Sequence, residues 1–351
     1  MPFTAEQLSY GGLSQLDFYM KDKVEDLYNT ERPLLKALRA HKKNFPGGNQ
    51  YIVDKLRKTN DSNFQWFGPD DQVTYNRKRT LAEAKFPWGS AHDGFGLTEE
   101  ELAANFITVT DDRSATPTTD EKWRLVNLIT ENTATLVEGF GEKMDYHLHL
   151  DGTQDADAIV GLDGTIKIDP TSGTLGTIDQ SIAGNAYFRN HVSLDVAKAN
   201  LKVEMGRMWR KCIRVGGFRP NLILAGTTAI EIYEEIADTT INRQMTISGN
   251  GKASAMDIAV NEINYKGVPI IWDPVFETLD ADLSPTDEWE SRIYFLNTNF
   301  LKLRPMEGQD MKTRRPPRAY DRYTHYWGLT WRGGLTTNRP SCMAVLTVTG
   351  S

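Results

Sequence analysis

TTDEKWRLVNLITENTATLVEGFGEKMDYHLHL, residues Thr118 to Leu150, places Leu125, Leu128, Ile129, Leu136, Phe140, Met144, His147 and Leu148 at three- and four-residue steps. That spacing gathers side chains on one face of a helix. Thr118 followed by Glu121 forms a capping-box pattern, with Pro117 just outside it. At about 1.5 Å per residue the helix would run roughly 45 Å, well beyond what a compact domain usually contains. Gly139 and Gly141 weaken its middle, so a bend or interruption is expected there. One apolar face opposite a Glu/Lys-rich one describes a girder that smaller elements lie across, and suits an active-site wall less well.

On the N-terminal side, Leu13 to Ala40 reads as two short amphipathic helices hinged at Pro33, with Leu16, Met20, Val24 and Leu27 on one face of the first. Phe18, Tyr19 and Tyr28 add apolar surface, so this arm is expected to dock on something. Phe45-Pro46-Gly47-Gly48 ends it. Tyr51-Ile52-Val53 and Val73-Thr74-Tyr75 then outline a strand, a long polar tip and a second strand, closed by Phe86-Pro87-Trp88-Gly89. An excursion this long within a compact domain usually acts away from that domain. Leu97 to Leu102 reads as a short helix and Phe106 to Thr110 as a strand leading into the long helix.

Beyond the girder, Asp151 to Thr177 is Gly-, Asp- and Thr-rich and reads as loops and short strands. Ser193 is expected to cap a second helix, LDVAKANLKVEMGRMWRKCIRVGG, stopped by Gly216 and Gly217 with basic residues in its last turns. Pro220 to Gly226 reads as a buried strand and Thr227 to Ile236 as a third helix. Strand-like runs follow at Ile258–Tyr265, Val268–Trp272, Ile293–Leu296 and Leu301–Leu303, and the chain closes with Tyr326–Thr330, WRGGLTTNRP and Ala344–Thr349. Helices and strands mix without regular βαβ alternation, which places the chain in the α+β class.

The 351 residues can bury a sizeable core, and 39% hydrophobic with 25% charged residues excludes disorder as the general state. A net charge of -7 argues against electrostatic coating of nucleic acid but leaves room for enclosing it. Cys212 and Cys342 lack any framework or zinc spacing and read as reduced thiols. There is no secretory signal and no apolar run long enough to span a membrane, so a cytoplasmic setting is expected.

Chemistry-bearing patterns are sparse. His147 and His149, near Asp145, Asp151, Asp155 and Asp157, could ligate a hydrolytic metal, but at the end of a helix they point about 200° apart. Asp151 to Asp157 lacks the alternating ligands and closing Glu of a calcium loop. Gly249-Asn250-Gly251-Lys252 lacks the remaining positions of a phosphate-binding loop and reads as a turn. Arg314, Arg315 and Arg318, interleaved with Pro316 and Pro317, suit an exposed stiff loop that meets a neighbouring subunit, and Tyr320, Tyr323, Tyr326, Trp327 and Trp331 around it suit core or interface. No catalytic, metal-binding or cofactor-binding residues are assigned.

The order of segments resembles the major capsid proteins of tailed bacteriophages, the family with the Hong Kong 97-type shell fold. The segments carrying this are LYNTERPLLKALRAHKKNFPGG, AKFPWGSAHDGFGLTEEEL, GVPIIWDPVF, YFLNTNFLKLRPM and YWGLTWRGGLTTNRP, in that order along nearly the whole chain. The resemblance implies an α+β fold with an N-terminal arm at 1–44 and an extended hairpin loop (E-loop) at 45–86. It implies a peripheral domain at 87–151 that contains the spine helix 118–150, a mostly axial domain at 152–305, and strands at 306–351 returning to the peripheral domain.

It further implies a structural, non-enzymatic subunit forming hexamers and pentamers of an icosahedral phage head around double-stranded DNA, without sequence-specific binding. The shell would be assembled in the host bacterial cytoplasm. A chain starting at Met1 leaves no room for a cleaved scaffolding segment, so a separate scaffolding protein is expected, with a portal; a cement or decoration protein is left open. Inter-subunit contacts are expected from Phe18, Tyr19, Leu27, Tyr28, Tyr51, Phe64, Trp66, Phe67, Arg77, Arg79, Arg314, Arg315 and Arg318. Lys55, Lys58 and Lys78 lie in the loop, but no motif assigns any of them to the covalent cross-link that some family members form. Deleting Tyr51 to Val73 is expected to leave a foldable chain that cannot close shells. The alternatives are an encapsulin-type protein compartment and, more remotely, a metal-dependent hydrolase using His147 and His149.

Overall fold

A computed structural model describes residues 31–78, 80–104, 119–240, 263–283, 288–316 and 324–349, with the backbone alone described at 119–127, 237–240 and 263. Outside these lie the first helix of the arm with Phe18, Tyr19, Leu27 and Tyr28, the Thr118 cap, the strand expected at 106–110, Gly249 to Lys252, Arg79, Arg318, Tyr320 and Tyr323. The chain forms two units, whose described parts lie within 90–144 and 308–332 for one, and 31–89, 145–307 and 333–349 for the other.

The first unit is built on β3 (Gly89–Thr98), α2 (Glu99–Ala104), most of α3 (Thr119–His149), β12 (Lys312–Arg314) and the first part of β13 (Thr324–Thr337). β12 pairs antiparallel with β13, Lys312 opposite Thr330 and Arg314 opposite Gly328, and β3 also pairs with β13. β3 escapes a sequence reading because Gly89, Gly94 and Gly96 and the polar His92-Asp93 interrupt it. Thr98 caps α2 reciprocally: Glu101 N–H donates to Thr98 Oγ1 at 3.2 Å, and Thr98 N–H to Glu101 Oε2 at 2.9 Å. Leu97 and Leu102 form a small core with Phe95, Leu128, Ile129 and Trp327, and the Phe95 and Trp327 rings stack at 5.6 Å.

α3 matches the girder to within a residue at each end, and its 31 residues pass Gly139 and Gly141 without interruption. Its buried positions toward the end are Phe140, Gly141, Met144, Asp145, Leu148 and His149, while His147 is exposed. The apolar stripe therefore carries His149, and the placement of His147 on it is corrected. The i, i+4 step from Asp145 lands on His149, not on its neighbour.

The second unit holds α1 (Pro33–Ala40), β1 (Ile52–Arg57), β2 (Leu81–Phe86), α4 (Leu162–Thr165), β4 (Thr174–Leu175), β5 (Ile178–Asp179) and a six-stranded sheet. The sheet runs β6 (His191–Ala197), β14 (Ala344–Thr349), β10 (Arg292–Leu296), β7 (Leu222–Ala225), β9 (Val268–Trp272), β8 (Ile263–Tyr265). β6 and β14 are parallel, as are β7 and β9, and β10 runs antiparallel to both its neighbours. β11 (Leu301–Pro305) pairs with the last residues of β13, Leu301 opposite Thr337 and Pro305 opposite Gly333.

On one face of the six-stranded sheet, Ile223, Ala225, Ile293, Phe295, Ala344 and Leu346 pack under α5 (Leu201–Gly216) and α6 (Thr227–Thr240). β7 and β10 are buried at every position, so both faces of the central strands are covered. That is why they read as continuous apolar runs instead of alternating ones.

Several expectations change here. The second hairpin strand is β2, with Ile52 opposite Phe86 and Arg57 opposite Leu81, and Val73 to Tyr75 lies in no strand. The helix expected from Ser193 begins only at Leu201, because 191–197 pairs with β14, and Asp195 at φ 50° donates its N–H to Thr347 Oγ1 at 2.8 Å. α7 (Val275–Asp282) stands where no helix was read. β14, assigned by the resemblance to strands returning to the peripheral domain, lies inside the sheet built otherwise from 191–296.

α5 ends at Gly217, at φ 78°, as its glycine pair predicts. At Gly216 a Cβ would lie 2.4 Å from Cys342 Cα, whereas at Gly139 it would meet nothing within 4 Å. Gly216→Ala is therefore expected to cost about 1–3 kcal/mol through overpacking. Gly139→Ala should instead gain about 1 kcal/mol of helix propensity. Denaturant midpoints of the two variants check this pair of opposite signs.

Candidate functional site

β1 and β2 form a ribbon whose base packs into a core, while the described aromatics at its far end are exposed. Ile52, Leu56, Ala84 and Phe86 point into a cluster with Phe45, Leu175, Ile178 and Phe188. Arg304 Nη1 reaches Asp54 Oδ1 at 3.2 Å, and Trp88 Nε1–H donates to Asn49 O at 3.2 Å. Beyond the last rung, where Lys58 N–H donates to Thr80 O at 2.9 Å, no strand among the described residues continues the ladder.

The tip is held by side chains. Asn63 Nδ2–H donates to Thr74 O, Thr74 Oγ1–H to Gln65 Oε1 at 3.2 Å, and Gly68 N–H to Asp71 Oδ2 at 2.6 Å. Phe64 and Trp66 meet edge to face at 5.3 Å. Trp66 is 90% exposed, Tyr75 91% and Phe64 74%, with Phe67 and Leu81 also exposed. Phe64 and Phe67 on one limb and Val73 and Tyr75 on the other border a hollow of about 480 Å³.

A two-stranded ribbon is marginal alone in water, and contiguous exposed aromatics mark interaction surfaces. Of the expected contact residues, Tyr51, Phe64, Trp66, Phe67 and Arg77 are exposed on this hairpin. Deleting Tyr51 to Val73 would remove β1 and the buried Ile52 and Leu56, so that deletion is not expected to leave a folded chain. The excision that spares the fold lies between Arg57 and Leu81.

In the first unit, Arg314 is committed locally, its guanidinium donating to Gln309 Oε1 at 2.8 Å and Thr330 Oγ1 at 3.1 Å. Arg315 is exposed and borders a hollow of about 230 Å³ with Ile129, Pro316, His325, Tyr326 and Trp327. Trp331 is core.

One buried polar cluster of the second unit centres on His149. Its Nδ1 lies 2.8 Å from Asp145 O and its Nε2 3.0 Å from Asp273 Oδ2, with Phe276 edge-on to the ring. A carbonyl oxygen only accepts, so Nδ1 carries a proton, and a proton on Nε2 as well matches the carboxylate. Both side chains are fully buried, and with Nε2 protonated the pair is an imidazolium facing a carboxylate.

Asp273 Oδ1 also accepts from Val275 N–H at 3.2 Å, which starts α7. Asp145 Oδ1 accepts from Leu35 N–H at 3.0 Å and ties α1 to the end of α3, while its Oδ2 is buried with no hydrogen-bond partner among the described residues. Burial works against the charged form of His149, and Asp273 with Asp145 overrides it, so its pKa is raised. Burial pushes Asp145 up to about 6 against the pull of His149.

Both shifts favour acid. His149 contributes stability that is present below its ordinary 6.5 and lost as pH rises through its raised value. Ionised Asp145 costs the fold about 3 kcal/mol above pH 6, a cost relieved as pH falls from about 6 toward 3.8. Asp145→Asn is expected to remove the Asp145 share of this acid stabilisation. Unfolding of wild type and variant at about pH 4.5 and about pH 7.5 measures it.

His147 and His149 are thus not brought together. One faces solvent and the other has both ring nitrogens engaged, so the hydrolase arrangement is not built. Among the described residues no cluster of three His, Cys, Asp or Glu side chains could hold a metal ion. Cys212 and Cys342 are buried, and burial pushes both thiols up to about 12. No described helix is long and apolar enough to cross a membrane. A sequence reading singles out Asp145 only as a carboxylate near a metal pattern and misses Asp273; the signals it could have used are the Asp-x-x-x-His step on a helix and an Asp directly before Pro274.

No family model and no curated protein matches the sequence. Solved structures do match in shape. The capsid asymmetric unit of cyanophage A-1(L) aligns with a TM-score of 0.63 at 14% identity, covering 94% of this chain and 97% of that one. The mature capsid asymmetric unit of bacteriophage PhiM1 aligns at 0.57 and 12%, covering 94% and 90%. The capsid of Myoviridae phage XM1 aligns at 0.52 and 13%, covering 95% and 98%. At these identities the likeness is one of fold, and the fold is the Hong Kong 97-type α+β fold expected from the segment order.

Proposed function

We propose that this chain is a major capsid protein, a structural subunit whose copies assemble as hexamers and pentamers into the icosahedral head of a tailed bacteriophage. The observation that carries the reading is the anchored hairpin with an exposed aromatic tip, Phe64, Trp66, Phe67 and Tyr75, on a fold shared with phage capsid subunits. A tip of this kind is stabilised when a neighbour covers it. In this reading 45–86 is the extended loop laid on the adjacent copy, 1–44 the arm, α3 the spine helix, and Arg77, Arg79, Arg315 and Arg318 are polar contacts around the apolar ones. Arg314 drops out of that set because its guanidinium is engaged within its own unit.

The net charge of -7 suits a wall that encloses double-stranded DNA without gripping it. Scaffolding and portal proteins are the partners this role calls for, with assembly in the bacterial cytoplasm and the virion as destination. The role proposed is structural, not catalytic.

Negative-stain electron microscopy of the purified protein, expressed alone and with its neighbouring genes, tests the reading. Uniform icosahedral particles or capsomer rings are expected. A persistent monomer under both conditions would overturn it.

A further inference from the structure

Two helices covering the same face of the six-stranded sheet expose opposite charge. α5 carries Lys202, Arg207, Arg210, Lys211 and Arg214 against a single carboxylate, Glu204. α6 carries Glu231, Glu234 and Glu235 and no cation. Burial sorts these residues cleanly. Leu201, Met205, Met208, Trp209 and Cys212 of α5 enter the core, while Lys202, Arg207, Arg210 and Arg214 are exposed, the three arginines at steps that share one face. Val203, 59% exposed, extends that face with an apolar patch. On α6, Ala229 and Ile232 are buried, and Glu231 and Glu234 are exposed.

Positive charge on α5 is only partly neutralised nearby. Arg207 has Glu204 at 2.7 Å. Lys266 sits above the Trp209 and Tyr265 rings at 5.5 and 5.3 Å, its pKa lowered by burial and then by Arg210. His191 is likewise lowered by burial and then by Lys211 and Arg214. The helix presents an excess of cations on a chain whose net charge is -7.

In a ring of identical subunits each copy offers one face to a different face of the next, so one chain must carry both halves of the contact. We propose that the basic face of α5 on one copy docks against the acidic face of α6 on the next copy around the capsomer. The proposal rests on the shell reading and adds to it the pair of surfaces that closes the ring. Complementary potential of this kind sets register and rejects wrong partners, since like charges facing each other are strongly unfavourable.

The test uses the full chain in three forms: Arg210→Glu with Arg214→Glu on α5, Glu231→Arg with Glu234→Arg on α6, and both pairs combined. All these positions are exposed and leave the Arg207–Glu204 pair in place. Each single-face form is expected to lose about tenfold or more of its assembled fraction by sedimentation and electron microscopy. The combined form, with the charges exchanged, should recover. Co-expressing the two single-face chains should yield rings of even number, because the copies must alternate.

Arg210→Gln with Arg214→Gln serves as a milder second α5 variant, expected to weaken assembly in a salt-dependent way. Normal assembly of both single-face forms would overturn the proposal while leaving the shell reading intact, as would failure of the combined form to recover. An α5 variant that assembles fully but retains less nucleic acid would assign the basic face to phosphate and overturn the proposal. A wild-type chain that never assembles would overturn the shell reading and this inference with it.

Discussion

Replacing Lys58 to Thr80 by a short turn is expected to leave a folded subunit and to abolish closed shells. The cut falls outside the last β1–β2 pair, Arg57 with Leu81, so Ile52, Leu56, Ala84 and Phe86 keep their places in the core. What is lost is the tip, with Phe64, Trp66, Phe67 and Tyr75 on its surface. Large aromatics centred in an interface commonly carry more than about 2 kcal/mol each, and every contact in a shell repeats the loss. Circular dichroism should match wild type, and electron microscopy should show isolated capsomers or monomers in place of particles. Full-sized closed particles from the excised chain would end the role assigned to the hairpin. A gentler version, Trp66→Ala with Phe67→Ala, should lower particle yield with the melting temperature of the dissociated chain unchanged, because neither ring is core.

The largest effect on stability is expected from Asp273→Ala. Its carboxylate is the counterion of the fully buried His149, and its other oxygen accepts the Val275 N–H that starts α7. Removing one member of a buried pair strands the other charge and costs about 3–5 kcal/mol. Asp273→Asn keeps an acceptor near Nε2 but not the charge, so it should cost less, and the pKa of His149 should fall. Denaturant unfolding of the dissociated chain gives the first quantity and histidine NMR titration the second. A loss below about 1 kcal/mol for the alanine variant would mean the pair is not formed.

Legibility followed periodicity. α3, the start of α6 at Thr227, the stop of α5 at Gly217, and the strands β7, β9 and β10 stand close to where spacing, caps and apolar runs place them. Each is specified by residues within a few positions of one another. β2 was misplaced because Val73-Thr74-Tyr75 has the β-branched composition of a strand, whereas LAEAKF does not; Ala84 and Phe86 pair there because a core lies beneath them. β6 reads as the first turns of a helix, and only the parallel partner β14 draws it into a sheet. The candidate surface was partly visible, since an overlong polar loop carrying Phe64, Trp66 and Phe67 is anomalous in any soluble domain. The commitment of Arg314 to Gln309 and Thr330 was not visible, because a basic residue beside proline looks the same free or bonded.

By itself the sequence determined the α+β class, the girder helix, the central apolar strands and the protruding hairpin. Each follows from local periodicity, helix caps, or residues that no core of their own could bury. The tertiary structure alone decided strand order, the register of β1 on β2, which of His147 and His149 is buried, and which carboxylate faces it. Those outcomes depend on groups 124 residues apart, as in the His149–Asp273 pair. No local pattern encodes a partner that only the folded chain brings within 3.0 Å.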